Sequence, residues 1–199
     1  MSLKWGIIGT GSIAHTFAIG LKKAKKGELV AIGSRAKETA VKFGSQYGVP
    51  EAKCYATYAD LLKDSSVDIV YISTPHPQHC EVAIQTVQAK KHVLVEKPFA
   101  LNEEEATHIL AAAKENDVFL MEAYMYRCHP QTRKIVELVQ NGAIGEVKLI
   151  RANFAFDGRP LGATSRLWRN ELGGGAILDI GGCKLYIVYM NPCPSYIII

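Results

Sequence analysis

The chain has 199 residues, of which 48% are hydrophobic and 21% charged, a composition typical of a globular protein with a substantial core. Its net charge of +4 is mild, and lysines occur only in short pairs such as Lys22-Lys23, which excludes the dense basic stripe of a nucleic-acid-binding protein. No apolar run has the length of a membrane span and no secretory signal is visible, so we expect a cytoplasmic protein that does not bind membranes.

The cysteines do not have the pattern of a disulfide framework, and neither the cysteines nor the histidines have the spacing of a metal site. The cysteines are Cys54, Cys80, Cys128, Cys183 and Cys193. Their number is odd and no Cys-x-x-Cys pair occurs, which argues against a disulfide framework and against a zinc site. We therefore expect free thiols in a reducing compartment and no bound metal.

Strand and helix patterns alternate along the first part of the chain. Short apolar or β-branched runs predict strands at 5–8, 28–33, 53–55, 67–73, 92–95 and 118–122. Helices are predicted at 12–23, 37–47, 58–63, 77–89 and 103–115, the last capped by Asn102. Alternation with short links predicts an α/β fold, a Rossmann-type doubly wound parallel sheet covered by helices on both faces.

The pattern changes after residue 124, which divides the chain into a first domain at 1–124, a second segment at 125–181 and an atypical apolar tail at 182–199. The second segment has a predicted helix at 131–140, a long predicted strand at 147–156 and a short helix at 176–180 after three glycines. The strand resembles the first strand of a different sheet, so we expect the beginning of an α+β domain with an open antiparallel sheet.

A glycine-rich loop, Gly9-Thr10-Gly11-Ser12-Ile13-Ala14, joins the first predicted strand to the first helix. Gly9 permits a tight turn, Gly11 allows a pyrophosphate to approach the backbone, and Ala14 permits close packing of helix and strand. Ser12 and Ile13 open the helix, whose free N–H groups and dipole favour phosphate. The alternative is a plain structural turn, but the repeated alternation favours dinucleotide binding.

The end of the second predicted strand bears on the choice of cofactor. An NAD site places an acidic residue there to hold the ribose hydroxyls, whereas this chain has Ser34-Arg35. A hydroxyl and a guanidinium suit the 2′-phosphate of NADP. We therefore predict NADP in preference to NAD, the alternative being that Arg35 only points into solvent.

Two further segments follow predicted strands and carry reactive or polar side chains. The fourth strand is followed by Thr74-Pro75-His76-Pro77-Gln78-His79 and the fifth by Glu96-Lys97-Pro98. Ligands of open α/β sheets bind at the carboxyl ends of the strands. A lysine held there beside an acid and a proline is a candidate for hydrogen bonding to a substrate oxygen.

These motifs together resemble the Gfo/Idh/MocA oxidoreductases, a family named for glucose–fructose oxidoreductase and inositol dehydrogenase. The matching segments are 9–14, 96–98, 121–127, 168–169 and 173–181. The segments at 76–79 and 122–127 are most similar to the branch that holds dihydrodiol dehydrogenases and NADP-dependent D-xylose dehydrogenases.

The resemblance implies hydride transfer between a nicotinamide and a secondary alcohol or its ketone, with no metal. By the resemblance, Lys97 orients the reacting oxygen beside the cofactor and Asp179 contacts the substrate. The residues that the resemblance places around the cofactor are Thr74, Pro75, His79, Glu96 and Ala123, with Trp168 and Arg169 reaching it from the second domain. For Tyr124, Tyr126 and Arg127, packing between domains and a role near the nicotinamide remain equal alternatives.

The chain departs from the family pattern near its end. The family carries Tyr or His, a proton donor or acceptor, where this chain has Cys183, and no family pattern is visible from Gly182 onward. We therefore expect most of the family's substrate and dimerisation domain to be absent. Either the chain is truncated or frame-shifted after about residue 181, or it is a deliberate short form. A homo-oligomer remains possible, but we expect the sheet through which the family forms it to be mostly missing.

Three hypotheses follow for the function. The leading one is an NADP-dependent oxidoreductase that acts on a sugar, a polyol or a trans-dihydrodiol. The second is a truncated protein that binds NADP(H) without turnover, and the third is a remnant that does not fold.

Overall fold

A computed structural model describes residues 2–151 and 153–182 of the chain. The chain divides into two compact units, the first ending at Ala123 and the second beginning at Tyr124.

The first unit is built on one parallel sheet. Its strands are β1 (Leu3–Ile8), β2 (Gly27–Gly33), β3 (Cys54–Tyr55), β4 (Ile69–Ile72), β5 (His92–Val95) and β6 (Leu120–Glu122). They lie in the order β3-β2-β1-β4-β5-β6, and every pairing is parallel. The strand order reverses between β1 and β4, which is the switch point of a Rossmann fold. The predicted doubly wound sheet is confirmed.

Five helices connect these strands. They are α1 (Ser12–Lys22), α2 (Lys37–Tyr47), α3 (Tyr58–Leu62), α4 (His79–Gln88) and α5 (Glu103–Asn116). The side chain of Asn102 accepts a hydrogen bond from the amide of Glu105 and caps α5 as predicted. The helix predicted from residue 77 begins instead at His79, because His76–Gln78 form a separate 3₁₀ turn.

The helices bury both faces of the sheet. Alternate residues of each strand point to opposite faces, so Ile7 and Tyr71 pack against α1 and α2 while Ile8 and Ile72 pack against α3, α4 and α5. All four side chains are at most 1% exposed. The sheet is therefore a fully covered central layer, and only its strand ends are open to a ligand.

The carboxyl ends of the strands are in register. Ile8 pairs with Gly33 and with Ile72, and Val95 pairs with Ile72 and with Glu122. The residues that follow the strands therefore form a row along one edge: Gly9, Ser34, Ser73, Glu96 and Ala123. Each donates its amide to a carbonyl of the neighbouring strand at 2.8–3.1 Å. We call this row, with the loops that continue from it, the carboxyl edge.

The opposite edge of the sheet is held by a polar cluster around Asp64. Its carboxylate accepts hydrogen bonds from Lys53 at 2.9 Å, from the Tyr55 hydroxyl at 2.9 Å and from the Ser66 amide at 2.9 Å. Burial alone would raise the pKa of Asp64, but these hydrogen bonds hold it well below the usual range. The ammonium of Lys91 donates to the backbone carbonyl of Asp64 at 2.8 Å.

Asp64→Asn is expected to lower the free energy of unfolding by about 2 kcal/mol at pH 7, because buried donors lose a charged acceptor. A carboxyl whose pKa is lowered by folding stabilises the protein above its unfolded pKa of about 4 and loses that effect as the pH falls. The difference between parent and variant should therefore begin to shrink as the pH falls below about 5 and continue to shrink below pH 3, because the folded pKa of Asp64 lies well below the unfolded value. Urea denaturation checks this, with Glu115→Gln, at an exposed position of α5, as a control that changes little.

The second unit is mostly irregular in the part that the structure describes. It contains α6 (Pro130–Gln140), which begins with proline in its first turn and is capped by the His129 side chain, and a π-helical turn at Ile177–Gly181. The strand predicted at 147–156 is wrong: within its described residues only Ile150 makes a single bridge. A strand needs a hydrogen-bonded neighbour along several residues, whereas the regular pairing among the described residues of this segment is limited to the single bridge at Ile150.

Several expectations concern features that the structure describes only in part. Cys183, Cys193 and the tail beyond Gly182 lie outside the described residues. Within the described ranges, no helix is both long enough and apolar enough to cross a membrane. No cluster of His, Cys, Asp or Glu suited to a metal ion occurs among those same residues.

Candidate functional site

The loop after β1 makes the tight turn that its sequence predicts. Gly9 has a φ of +95°, a conformation that L side chains rarely adopt. A Cβ at this position would lie 2.8 Å from the backbone oxygen of Ser73. The Ser73 hydroxyl in turn donates to the carbonyls of Ile8 and Gly9 at 3.1 and 3.2 Å. Only glycine can therefore bring the chain from β1 so close to the end of β4.

The loop then opens directly into α1 with nothing of the first unit covering it. A Cβ on Gly11 would have no neighbour within 4 Å, and Ser12 is exposed. The first turn of α1 contains no acidic residue and no side-chain cap. Ala14 is fully buried against the sheet and donates its amide to the Gly11 carbonyl at 3.0 Å. The helix thus presents its N–H groups and positive dipole to open space, as a phosphate site requires.

The end of β2 carries a free cation. Ser34 is buried at 8% exposure, whereas Arg35 is exposed and takes part in no ion pair among the described residues. Arg35 lies close to Tyr58: burial raises the pKa of Tyr58, and the Arg35 charge partly offsets this. Unlike Arg35, the nearby Lys37 is not free to bind a phosphate, because its ammonium donates to the backbone carbonyls of Cys54 and Glu51 at 2.6 and 2.9 Å.

The turn that carries Lys97 rests on a buried hydrogen bond. The Tyr71 hydroxyl, in the middle of β4, donates to Oε1 of Glu96 at 2.5 Å. Oε2 of Glu96 accepts the Lys97 amide at 3.2 Å. Burial and the Glu96 carboxylate strongly raise the pKa of Tyr71, so the phenol is a fixed donor. Phe17 stacks on the Tyr71 ring with 3.9 Å between ring centroids.

Two more side chains hold the same turn from either side. His79, which is fully buried, has Nδ1 2.8 Å from the Pro98 oxygen and Nε2 2.9 Å from the Thr74 oxygen. Glu122, at the end of β6, accepts the Phe99 amide on Oε1 at 2.8 Å. The Lys97-Pro98 peptide bond is cis. The backbone around Lys97 is therefore fixed by side chains from β4, α4 and β6.

The second unit contains a cavity of about 390 Å³. Most of its lining is apolar, including Phe154, Phe156 and Leu161. Asp179 is the one carboxylate among the described residues that line it, and it is 9% exposed. Arg166 donates from Nη2 to Oδ1 of Asp179 at 3.2 Å. This ion pair sets the orientation of a carboxylate at an apolar cavity wall.

The remaining two predicted residues of the second unit make local contacts. Trp168 is 59% exposed and donates from its indole nitrogen to the Gly162 carbonyl at 2.9 Å. Arg169 forms an ion pair with Glu171 at 2.7 Å. Their predicted approach to a cofactor remains a prediction.

The predicted site residues of the first unit therefore lie together at the carboxyl edge, and Trp168, Arg169 and Asp179 lie in the second unit. Those at the carboxyl edge are Gly9, Gly11, Ser12, Ile13, Ala14, Ser34, Arg35, Thr74, Pro75, His79, Glu96, Lys97 and Ala123. Sequence reasoning did not give roles to Tyr71, Glu122 or Arg166. A carboxylate at the end of β6 was a visible signal for Glu122, but Tyr71 looks like an ordinary core residue of a strand.

Comparison with known proteins identifies the family. The model of the oxidoreductase family with an NAD-binding Rossmann fold, GFO_IDH_MocA, matches residues 3–124, and the GFO/IDH/MocA C-terminal domain model matches residues 132–188. The chain belongs to the Gfo/Idh/MocA oxidoreductase family. The predicted family resemblance is confirmed, and the two models together account for most of this Gfo/Idh/MocA chain.

Individual relatives agree with this assignment. A trans-1,2-dihydrobenzene-1,2-diol dehydrogenase from Danio rerio is 40% identical over 96% of this chain and 56% of its own length. A 3-ketoreductase from Actinomadura kijaniata, solved with NADP and TDP-benzene, has a TM-score of 0.81 at 31% identity and is matched over 93% of this chain and 58% of its own. An aldose-aldose oxidoreductase from Caulobacter crescentus has a TM-score of 0.83 at 29% identity and is matched over 96% of this chain and 57% of its own. The chain spans about half the length of the curated relatives that it matches.

Proposed function

We propose that the chain is an NADP-dependent oxidoreductase that transfers a hydride between the nicotinamide and a secondary alcohol or ketone of a sugar, polyol or trans-dihydrodiol. The observation that carries the proposal is the carboxyl edge. It places an unobstructed phosphate loop, an unpaired arginine and a firmly held lysine turn along one row of strand ends. Rossmann proteins bind dinucleotides across this edge.

The residues at this edge fit a dinucleotide. Gly9 and Gly11 leave the backbone open where a pyrophosphate must approach, and the Thr74 hydroxyl is buried without a partner. A bound nicotinamide dinucleotide supplies the hydride acceptor or donor. The chain's own contribution is to bind the phosphates at α1, to hold the ribose near Ser34, and to fix Lys97 beside the reacting oxygen.

Lys97 and Asp179 are the proposed catalytic residues. The lysine turn is held by three side chains, so the backbone that carries Lys97 is fixed, and its ammonium can donate a hydrogen bond to the substrate oxygen. Asp179, oriented by Arg166 at the cavity of the second unit, suits the hydroxyl groups of a polyol or a diol. Two relatives are named for a dihydrodiol and for aldoses, and these names support a polyol or a diol as the substrate class.

The second unit is proposed to be the start of the substrate domain. The family's C-terminal model reaches residue 188, so the atypical tail expected from residue 182 begins no earlier than the end of that match. The free thiols of Cys54 and Cys80 suit a reducing cytoplasm.

Two measurements on the whole chain test the proposal. The first is a fluorescence titration with NADPH and NADH, for which we expect saturable binding that favours NADPH. The second is turnover of xylose, glucose and a trans-dihydrodiol with NADP. Tight binding without turnover of any of these substrates would favour the alternative of a binding protein, and absence of binding would contradict both functions.

Replacing Arg35 is expected to change cofactor preference. Arg35→Ala should weaken NADPH binding about tenfold to a hundredfold, because a charge-assisted hydrogen bond to the 2′-phosphate is lost. NADH has no 2′-phosphate, so its dissociation constant should stay within about threefold of the parent value. Lys42→Ala removes an exposed positive charge from α2 and is the control. An equal loss for both nucleotides would mean that Arg35 does not contact the 2′-phosphate. Competition titration measures all four dissociation constants.

A further inference from the structure

Strand β4 carries a tyrosine among aliphatic residues, and the side chain of this Tyr71 is 1% exposed. Burying a phenol hydroxyl is costly unless the hydroxyl finds a hydrogen-bond partner. Here the hydroxyl donates to Oε1 of Glu96, which is itself buried, at 2.5 Å. Phenylalanine would fill nearly the same space without this cost. Packing alone therefore does not account for the hydroxyl of Tyr71.

The register of the sheet explains how a residue from the middle of a strand reaches the carboxyl edge. Tyr71 pairs with Leu94 of β5, and Glu96 follows Leu94 by two positions, so the three side chains lie on one face of the sheet. The Glu96 amide donates to the Ile72 carbonyl at 2.9 Å. The Tyr71 ring stacks on Phe17 of α1. Both partners of the hydrogen bond are therefore held by the core of the first unit.

Glu96 connects this buried hydrogen bond to the lysine turn. Its Oε2 accepts the Lys97 amide at 3.2 Å, so each carboxylate oxygen has a donor. One donor comes from the core of the sheet, and the other is the backbone of the residue that is proposed to bind the reacting oxygen. The other two side chains that hold the turn bond to residues that follow Lys97. Without the Tyr71 hydroxyl, the acceptor of the Lys97 amide would lose its anchor.

We propose that Tyr71 is a positioning residue for hydride transfer, which acts through Glu96 to hold Lys97 where it meets the substrate oxygen. The inference rests on the proposed function. Tyr71 is too deeply buried to touch a substrate, so its effect must pass through its partner. A small displacement of a reacting group lowers a rate sharply, whereas the phosphate loop does not depend on this hydrogen bond. Tyr71 therefore sets turnover rather than nucleotide affinity.

Tyr71→Phe and a matched control, Tyr55→Phe, test the proposal on the whole chain. Each removes only a phenol oxygen that donates to a carboxylate, and the control breaks the bond to Asp64 at the opposite edge. Tyr71→Phe should lower kcat about tenfold to a hundredfold, while KM and the dissociation constant of NADPH stay within about threefold. Tyr55→Phe should lower the melting temperature and leave kcat unchanged.

A double variant with Glu96→Gln shows whether Tyr71 acts through Glu96. Glutamine keeps the shape of the side chain and replaces one acceptor oxygen by an amide donor. If the hydroxyl acts through the carboxylate, adding Tyr71→Phe to Glu96→Gln should lower kcat further by less than about twofold, because coupled residues are not additive. The same fold loss of kcat in both backgrounds would mean that Tyr71 acts by another route and would overturn the proposal.

Hydrogen exchange of the Lys97 amide gives a second measurement, which needs no cofactor. In the ligand-free protein, Tyr71→Phe should speed exchange of this amide, followed by NMR, about tenfold, and Tyr55→Phe should leave it unchanged. Unchanged kcat or unchanged exchange in Tyr71→Phe would assign the hydroxyl to the fold alone and overturn the proposal. If the parent turns over no substrate, the proposed function fails and the positioning role falls with it, even where exchange confirms the link from Tyr71 to Lys97.

Discussion

Lys97→Met is expected to lower turnover by about a hundredfold to ten-thousandfold, because the variant loses the ammonium that hydrogen-bonds the reacting oxygen. The turn itself is held by Tyr71, His79 and Glu122 through groups other than the lysine amine. The variant should therefore fold normally and bind NADPH within about threefold of the parent, a size typical of a lost peripheral contact. Steady-state kinetics with the best substrate, together with an NADPH titration, separate the two effects.

The control for this variant is Lys114→Met, which removes an exposed lysine from α5 and should leave kcat and KM unchanged. If Lys97→Met retained the turnover of the parent, the lysine would not be catalytic. A fall in NADPH affinity that matched the fall in turnover would make Lys97 a cofactor ligand only.

Gly9→Ala is expected mainly to lower stability, whereas Gly11→Val is expected mainly to lower NADPH affinity. At Gly9 the φ of +95° and the 2.8 Å approach to the Ser73 oxygen leave no room for a Cβ, so alanine should lower the free energy of unfolding by about 3 kcal/mol. At Gly11 the φ of −75° is ordinary and the space is open. Because Gly11 is the N-cap of α1, valine should lower the free energy of unfolding by only about 1 kcal/mol, the usual loss at a poor N-cap.

The binding results should show the opposite pattern. A valine side chain at Gly11 would occupy the space in which a pyrophosphate approaches α1, so NADPH affinity should fall at least about thirtyfold, or about 2 kcal/mol. Urea denaturation and NADPH titration on both variants give the comparison. Normal NADPH binding by Gly11→Val would show that the phosphates bind elsewhere, and an undisturbed Gly9→Ala would contradict the turn geometry.

Most of the first unit could be predicted from the sequence, because its signals are local. Strand β5 has the predicted bounds, and so does α2, which ends where Gly48 adopts a left-handed conformation. The strand predicted at 67–73 is shorter in the structure, Ile69–Ile72, and leaves out Val67 and Ser73 at its two ends. Hydrogen-bonded pairing with neighbours, rather than composition, decides where a strand begins and ends.

The segment at 147–156 shows the limit of this reasoning. Its alternation of apolar residues suits a strand, but alternation cannot say whether a neighbouring strand exists. In the described residues only Ile150 forms a bridge.

The candidate site could be predicted only in part, because its strand-end residues follow from local patterns and its supporting contacts do not. Residues that follow strands, such as Gly9 and Lys97, could be placed at the carboxyl edge because register follows from the strand pattern. The contacts that hold Lys97 could not, because Tyr71 and Glu96 are 25 positions apart and their hydrogen bond depends on three-dimensional packing.

Hydrogen–deuterium exchange with and without NADPH tests the central claim most directly, because it locates a ligand on the chain. We expect NADPH to slow exchange at the carboxyl edge, in segments 9–14, 73–79 and 96–99, and to leave the opposite edge around Asp64 unchanged. Slower exchange at the Asp64 edge alone, or no slowing in segment 9–14 at saturating NADPH, would contradict a dinucleotide site at the carboxyl edge.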